Sequence, residues 1–208
     1  MSSFRLPVNR ELWSASRLSG FTSPQDLVRA REVVFLLFAG VCAALASGLF
    51  DFSLRIPGHA ILRVIFPMTL GLALVPRKGA GTVMAAGAFS TGLFLRGTGI
   101  VAGMSIGAFT SLLVTGPLLD LTLRKTKNRS WIYLNCALAG LLSNSLAMSV
   151  RGLSKFLGWE RLGRVPVGEW FSRAVLTYPV CGLIAGLLCA MILFSMRVTE
   201  PESVKGEE

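Results

Sequence analysis

Polar and apolar positions along this chain fall into long blocks. They show neither the alternation of a half-buried strand nor the single stripe of a soluble helix. No charged residue occurs within 97–119, 130–150 or 174–196. Such stretches read as membrane helices, because a hydrocarbon core of about 30 Å needs about 20 residues of helix to cross it. The hydrophobic blocks predict six segments, at 33–50, 56–75, 80–95, 99–119, 130–150 and 174–196. The second and third are short and glycine-rich, and PRKGAG (76–81) leaves room only for a tight connection. A re-entrant pair formed by these two is the competing count.

The expected fold class is all-α: a polytopic membrane helix bundle with about six transmembrane helices. The short loops containing Arg77-Lys78 and RKTKNR (124–129) face the cytoplasm if basic residues obey the positive-inside rule, which puts both termini there too. Residues 1–32 are then a cytoplasmic segment. In it, Ser23-Pro24-Gln25-Asp26 has the N-cap, first-turn proline and acid that start a short helix. The first 30 residues hold no early apolar run, so no cleavable signal peptide is expected. Residues 33–196 form the transmembrane domain. Within it, 151–173 interleaves Phe156, Leu157, Trp159, Leu162 and Trp170 with basic residues, which suits an amphipathic element in the outer interface. Residues 197–208 are acidic and polar and are expected to be disordered.

Composition agrees. Of 208 residues 52% are hydrophobic and 15% charged, with mean hydropathy +0.62; soluble domains carry about 25% charged residues. The net charge of +10 is gathered beside the spans, where it reports orientation and contact with anionic lipid rather than nucleic acid. The expected location is the plasma (cytoplasmic) membrane, as a multi-pass protein. Cys42, Cys136, Cys181 and Cys189 all lie in apolar runs without a CxxC pair, and His59 is the one histidine. That set does not build a zinc site, so no metal is expected and the thiols read as packing groups. No GxxxxGK[ST] loop occurs, so any ATP is used by partner subunits. GMSIG (103–107) matches a serine-hydrolase pattern by letter, but it lies in an apolar helix rather than at a strand-to-helix turn. The chain is not expected to be an enzyme.

The candidate chemistry starts at His59 and Arg63, four residues apart at the head of the second segment and therefore on one helix face. Ionisable groups at membrane depth usually face a cavity or a partner, yet an arginine near a helix end also snorkels to headgroups; both readings stand. Asp51 and Arg55 precede this pair, and Arg96 follows the third segment. Guanidinium recognises carboxylate or phosphate, and imidazole donates or accepts. Together these side chains can hold a small polar solute at an outer mouth, with Asn135, Asn144, Ser143 and Ser145 of the fifth segment adding amides and hydroxyls. Interhelical hydrogen bonding is the other reading of those four. Asp120 is expected to pair with Arg124 at a helix end. Small residues recur every fourth position in the first segment, as Ala39, Ala43 and Ser47 beside Gly40, Ala44 and Gly48. A doubly small face exceeds what one internal contact needs, so it is expected to dock another membrane subunit.

These features, with the AxxxA of Ala39 and Ala43 and the run PGHA…P…LGLALVPRKGAG, resemble the substrate-binding membrane subunits (S components) of energy-coupling-factor transporters over about residues 33–196. The resemblance implies capture of a vitamin or precursor from outside, and uptake driven by a transmembrane coupling subunit and an ATPase pair. It places Ala39 and Ala43 against the coupling subunit, and the stretch from Asp51 to Arg63 at the solute. Gly58-His59 is similar to a motif of the cobalt and nickel members, but this chain begins Met-Ser-Ser where those carry a second histidine. An organic solute is therefore expected. A non-transporting membrane scaffold is the alternative function, and an intramembrane enzyme a weaker one.

Overall fold

The computed structural model describes residues 28, 30–50, 58–101, 104–124, 129–159 and 167–195. They form six helices: α1 (Ala30–Leu49), α2 (Ile61–Leu74), α3 (Ala80–Gly97), α4 (Ile106–Leu123), α5 (Arg129–Phe156) and α6 (Val167–Ser195). No β-strand occurs among the described residues. The protein is an all-α helical bundle. Four of its helices, α1, α4, α5 and α6, are long and apolar enough to cross a membrane. At 14 residues, α2 reaches about 21 Å at 1.5 Å per residue.

The distribution of side-chain size points to lipid. Large apolar side chains face outward on every helix, among them Val34, Phe38, Phe94, Leu121 and Leu176, while Ala43, Ala44, Ala85, Ala88, Ala139 and Ala190 are buried. A soluble protein does not expose such contiguous apolar surface. In a bilayer, helices gain little by hiding leucine from acyl chains, so small residues that let backbones approach form the interfaces. The glycines show this directly. A Cβ on Gly140 of α5 would collide with the Gly182 carbonyl of α6, and one on Gly182 with the Gly140 carbonyl. Gly186 meets the Cys136 carbonyl in the same way, and Gly81 and Gly116 make a second reciprocal contact between α3 and α4. Buried hydroxyls add specificity: Thr115 of α4 and Ser143 of α5 share a 2.6 Å hydrogen bond. All four cysteines are free thiols.

Two clasps close the end of the bundle where α2 passes into α3. Arg77 donates from Nε and Nη2 to Oε1 of Glu32 in the first turn of α1, both at 3.3 Å. Asp120, at the end of α4, accepts from the backbone N–H groups of Gly81 (2.9 Å) and Thr82 (2.8 Å) and from the Thr82 hydroxyl (2.8 Å). It therefore caps α3 from another helix instead of pairing with Arg124. The correction has a physical cause: α3 starts at a left-handed Gly79 with no side-chain cap of its own, and a carboxylate satisfies two orphan N–H groups at a positive helix end. For the other clasp, Arg77→Ala is expected to cost about 1–2 kcal/mol, between the limits for exposed and buried pairs. A double-mutant cycle with Glu32→Gln in detergent unfolding checks this; additive single effects would remove the pair as a stabilising contact.

Helix ends depart from the expected spans where local caps intervene. The fourth begins at Ile106 rather than 99, because Gly99 has φ +75° and Ser105 caps α4 by accepting from the Ala108 N–H at 3.2 Å. Within 151–173 the described residues extend α5 to Phe156 and start α6 at Val167; residues 160–166 of the expected amphipathic element lie outside the described residues. The expected N-terminal helix and the acidic tail lie outside the described residues.

Candidate functional site

At the end opposite the clasps, the chain enters α2 through a tight turn. Gly58 sits at φ +89°, and a Cβ there would crowd the Tyr178 backbone and the Asn144 amide, so only glycine fits both the conformation and the space. Ile61 N–H donates to Gly58 O, Leu62 N–H to His59 O and Arg63 N–H to Ala60 O. His59 and Arg63 follow, both half-buried.

Asn144 holds this turn in place. Its Nδ2 donates to Gly58 O at 3.0 Å and to Tyr178 O at 2.7 Å, tying the entry of α2 to α5 and α6 at a side chain only 2% exposed. The amide thus acts through the backbone: it fixes where His59 begins.

Tyr178 forms the next layer. Its hydroxyl accepts from Arg151 Nη1 at 3.0 Å, and its ring meets Trp170 edge to face at 6.4 Å between centroids. Lys155 places its ammonium 4.5 Å from the Trp170 ring centre, within the range where the ring quadrupole attracts a cation. The stem of Arg151 lies along Gly107 in the first turn of α4. Residues of α2, α4, α5 and α6 thus converge on one region around Tyr178.

Not every expected residue joins it. Arg96 is at the same end but lies over the Phe109 ring, 5.6 Å from its centroid, on the α3–α4 side. Asn135 is nine residues before Asn144 on α5, about 14 Å toward the clasps, so the structure does not bring it to His59. Ser143 bonds Thr115, as interhelical glue. Asp51 and Arg55 lie outside the described residues. The small face of α1 is internal: Gly40, Ala43 and Ala44 are buried in the bundle, with Gly40 against the Met84 carbonyl of α3, and Ala39 packs beside Gly71 of α2. Lower on the same face, Gly48 faces the side chains of Val101 and Met104. Of the four positions, Gly40, Ala43 and Ala44 are buried in the bundle and Ala39 is half-buried.

Conversely, Arg151, Lys155, Trp170 and Tyr178 were not singled out as a group from the sequence. The available signal was helical spacing: Asn144, Arg151 and Lys155 follow one another at intervals of seven and four, which places them along one face of a continuous helix.

Among the described residues the charge at this end is mostly positive. The described basic residues here are Arg63, Arg96, Arg151, Lys155 and Arg173, and the described acid is Glu169, which pairs with Arg173 at 3.1 Å on an exposed turn. The N-termini of α2, α4 and α6 lie at the same end and add their positive dipole ends. Among the described residues no three His, Cys, Asp or Glu side chains cluster as a metal site. No family model, curated protein or solved structure matches this chain.

Proposed function

We propose that this protein is an integral membrane solute-binding subunit that takes a small polar organic molecule at the His59 end of the bundle. The observation that supports this most is the tying of three helices at one polar turn: Asn144, buried among lipid-facing helices, fixes the start of α2 between α5 and α6 and so sets His59 and Arg63. Non-helical backbone at membrane depth occurs where it is buried in protein or lines a cavity, and half-buried ionisable groups beside it mark a candidate solute site. The basic loops at the clasp end support an extracytoplasmic His59 end in the plasma membrane. Uptake would then depend on a coupling subunit and ATPases supplied by partners, with vitamins or their precursors as the solute class.

The test is native mass spectrometry of the full chain purified in mild detergent, followed by binding of radiolabelled vitamins and precursors. A retained small molecule whose affinity falls at least tenfold in His59→Ala or Arg63→Ala is the expected result. Retention unchanged in both variants would remove the site. No retained solute, together with a stoichiometric protein partner that is not an ATPase complex, would replace this reading with a membrane scaffold.

A further inference from the structure

We infer that the lipid-facing side of α3 is a binding site for one anionic phospholipid, its headgroup held at Lys78 and Arg124 and an acyl chain lying along Thr82, Ala86 and Ser90. The site is at the clasp end of the bundle and does not involve the His59 turn. Charge, shape and length each point to this occupant.

Asp120 accepts from the Gly81 and Thr82 N–H groups, so it marks where the end of α4 meets the start of α3. Lys78 stands three residues before Gly81, and Arg124 four residues after Asp120. Both therefore lie just past this contact, at the margin of the bundle. Neither makes a hydrogen bond or ion pair among the described residues. The described acids at this end are both engaged, Glu32 by Arg77 and Asp120 by the start of α3. Two cations beside apolar helices, with those acids already taken, are complementary to a phosphate at headgroup depth.

Shape agrees with charge. α3 packs between α1 and α4, with Gly87 against Leu37 and Gly81 against Gly116. Its exposed residues over the clasp half are Thr82, Ala86 and Ser90, spaced by four and so on one face. Exposed side chains on the flanking helices are large: Val34, Leu37 and Phe38 on α1, Leu113 and Leu121 on α4. Small side chains between large ones leave a furrow in the lipid-facing surface, and an acyl chain fits it. From Thr82 to Ser90 is about 12 Å of helix, close to the depth of about 15 Å of one leaflet's hydrocarbon. Leu93 and Phe94, both exposed, end the furrow there. A furrow one leaflet deep, with cations at its open end, matches a lipid molecule rather than a transmembrane partner, which would run the full length of α3.

The experiment uses the full chain in mild detergent micelles doped with equal amounts of phosphatidylglycerol and phosphatidylcholine that carry the same acyl chains. Native mass spectrometry reads the lipid retained. Phosphatidylglycerol is expected to stay bound, favoured at least tenfold over phosphatidylcholine. Lys78→Gln combined with Arg124→Gln should remove that preference. Ala86→Leu fills the furrow without touching a charge, and retention should fall at least fivefold. Arg173→Gln, at the opposite end, is the control and should change nothing. Because Ala86 is exposed, its replacement leaves the bundle's packing intact and decides the matter if the double variant does not fold. Equal retention of the two lipids, a preference that survives the double substitution, or retention unchanged in Ala86→Leu would each overturn the inference. So would displacement of the lipid by inorganic phosphate alone, which would show that the cations take a free anion and the furrow contributes nothing.

Discussion

Gly182→Val is expected to destabilise the bundle by about 3 kcal/mol, the upper end of the range for overpacking. The reason is the nature of the obstacle. A side chain on residue 182 would run into the Gly140 carbonyl and the Asn144 Cβ, and a carbonyl held in a helix cannot swing aside as a leucine tip can. Relief requires α5 and α6 to separate, which also pulls Gly186 from Cys136 and loosens the Asn144 bond to Tyr178. Gly168→Val on the same helix is the control, because nothing lies within 4 Å of a Cβ there. It should stay within about 0.5 kcal/mol of the parent. Unfolding in mixed micelles with increasing dodecyl sulfate measures both, and equal effects at the two sites would sink the close-contact account.

The second large effect is at Asp120. Asp120→Ala removes three hydrogen bonds to one carboxylate and leaves the Gly81 and Thr82 N–H groups without their acceptor. Bonds to a charged acceptor contribute about 1.5–3 kcal/mol each, but those within one network overlap, so a total of about 3 kcal/mol is expected. Asp120→Asn keeps one acceptor oxygen and should lose about half as much. Arg124→Ala should lose almost nothing, since Arg124 is not the partner of this carboxylate. An Arg124→Ala loss equal to that of Asp120→Ala would restore a helix-end ion pair and remove the cap. Amide exchange at Thr82 gives a local readout: it should accelerate in Asp120→Ala while the exchange of α5 holds.

Much of the architecture was legible along the chain, for a simple reason. Each apolar block reports a demand that lipid makes on every residue of a span, so the blocks that became α1 and α3 begin and end within a few residues of those helices. The errors gathered where local chemistry decides. Ser105 and Gly99 delay α4, and Asp120 caps α3 where a pair with Arg124 was expected. At the site, His59 and Arg63 stood out because charge is rare in an apolar block. Tyr178 did not, since a tyrosine inside such a block looks like any other large side chain. Its significance comes from contacts with Asn144, Arg151 and Trp170, which lie 34, 27 and eight positions away.

By itself, the order of residues determined that this chain is a membrane bundle of helices and where those helices lie, because hydrophobic burial in lipid acts on each segment independently of its neighbours. Only the tertiary structure decided which small faces meet inside the bundle, that Asp120 serves α3, and that Asn144 ties the turn at Gly58 to Tyr178. Those outcomes depend on the rotation and separation of helices packed at glycine distance, a property of pairs that no single segment encodes.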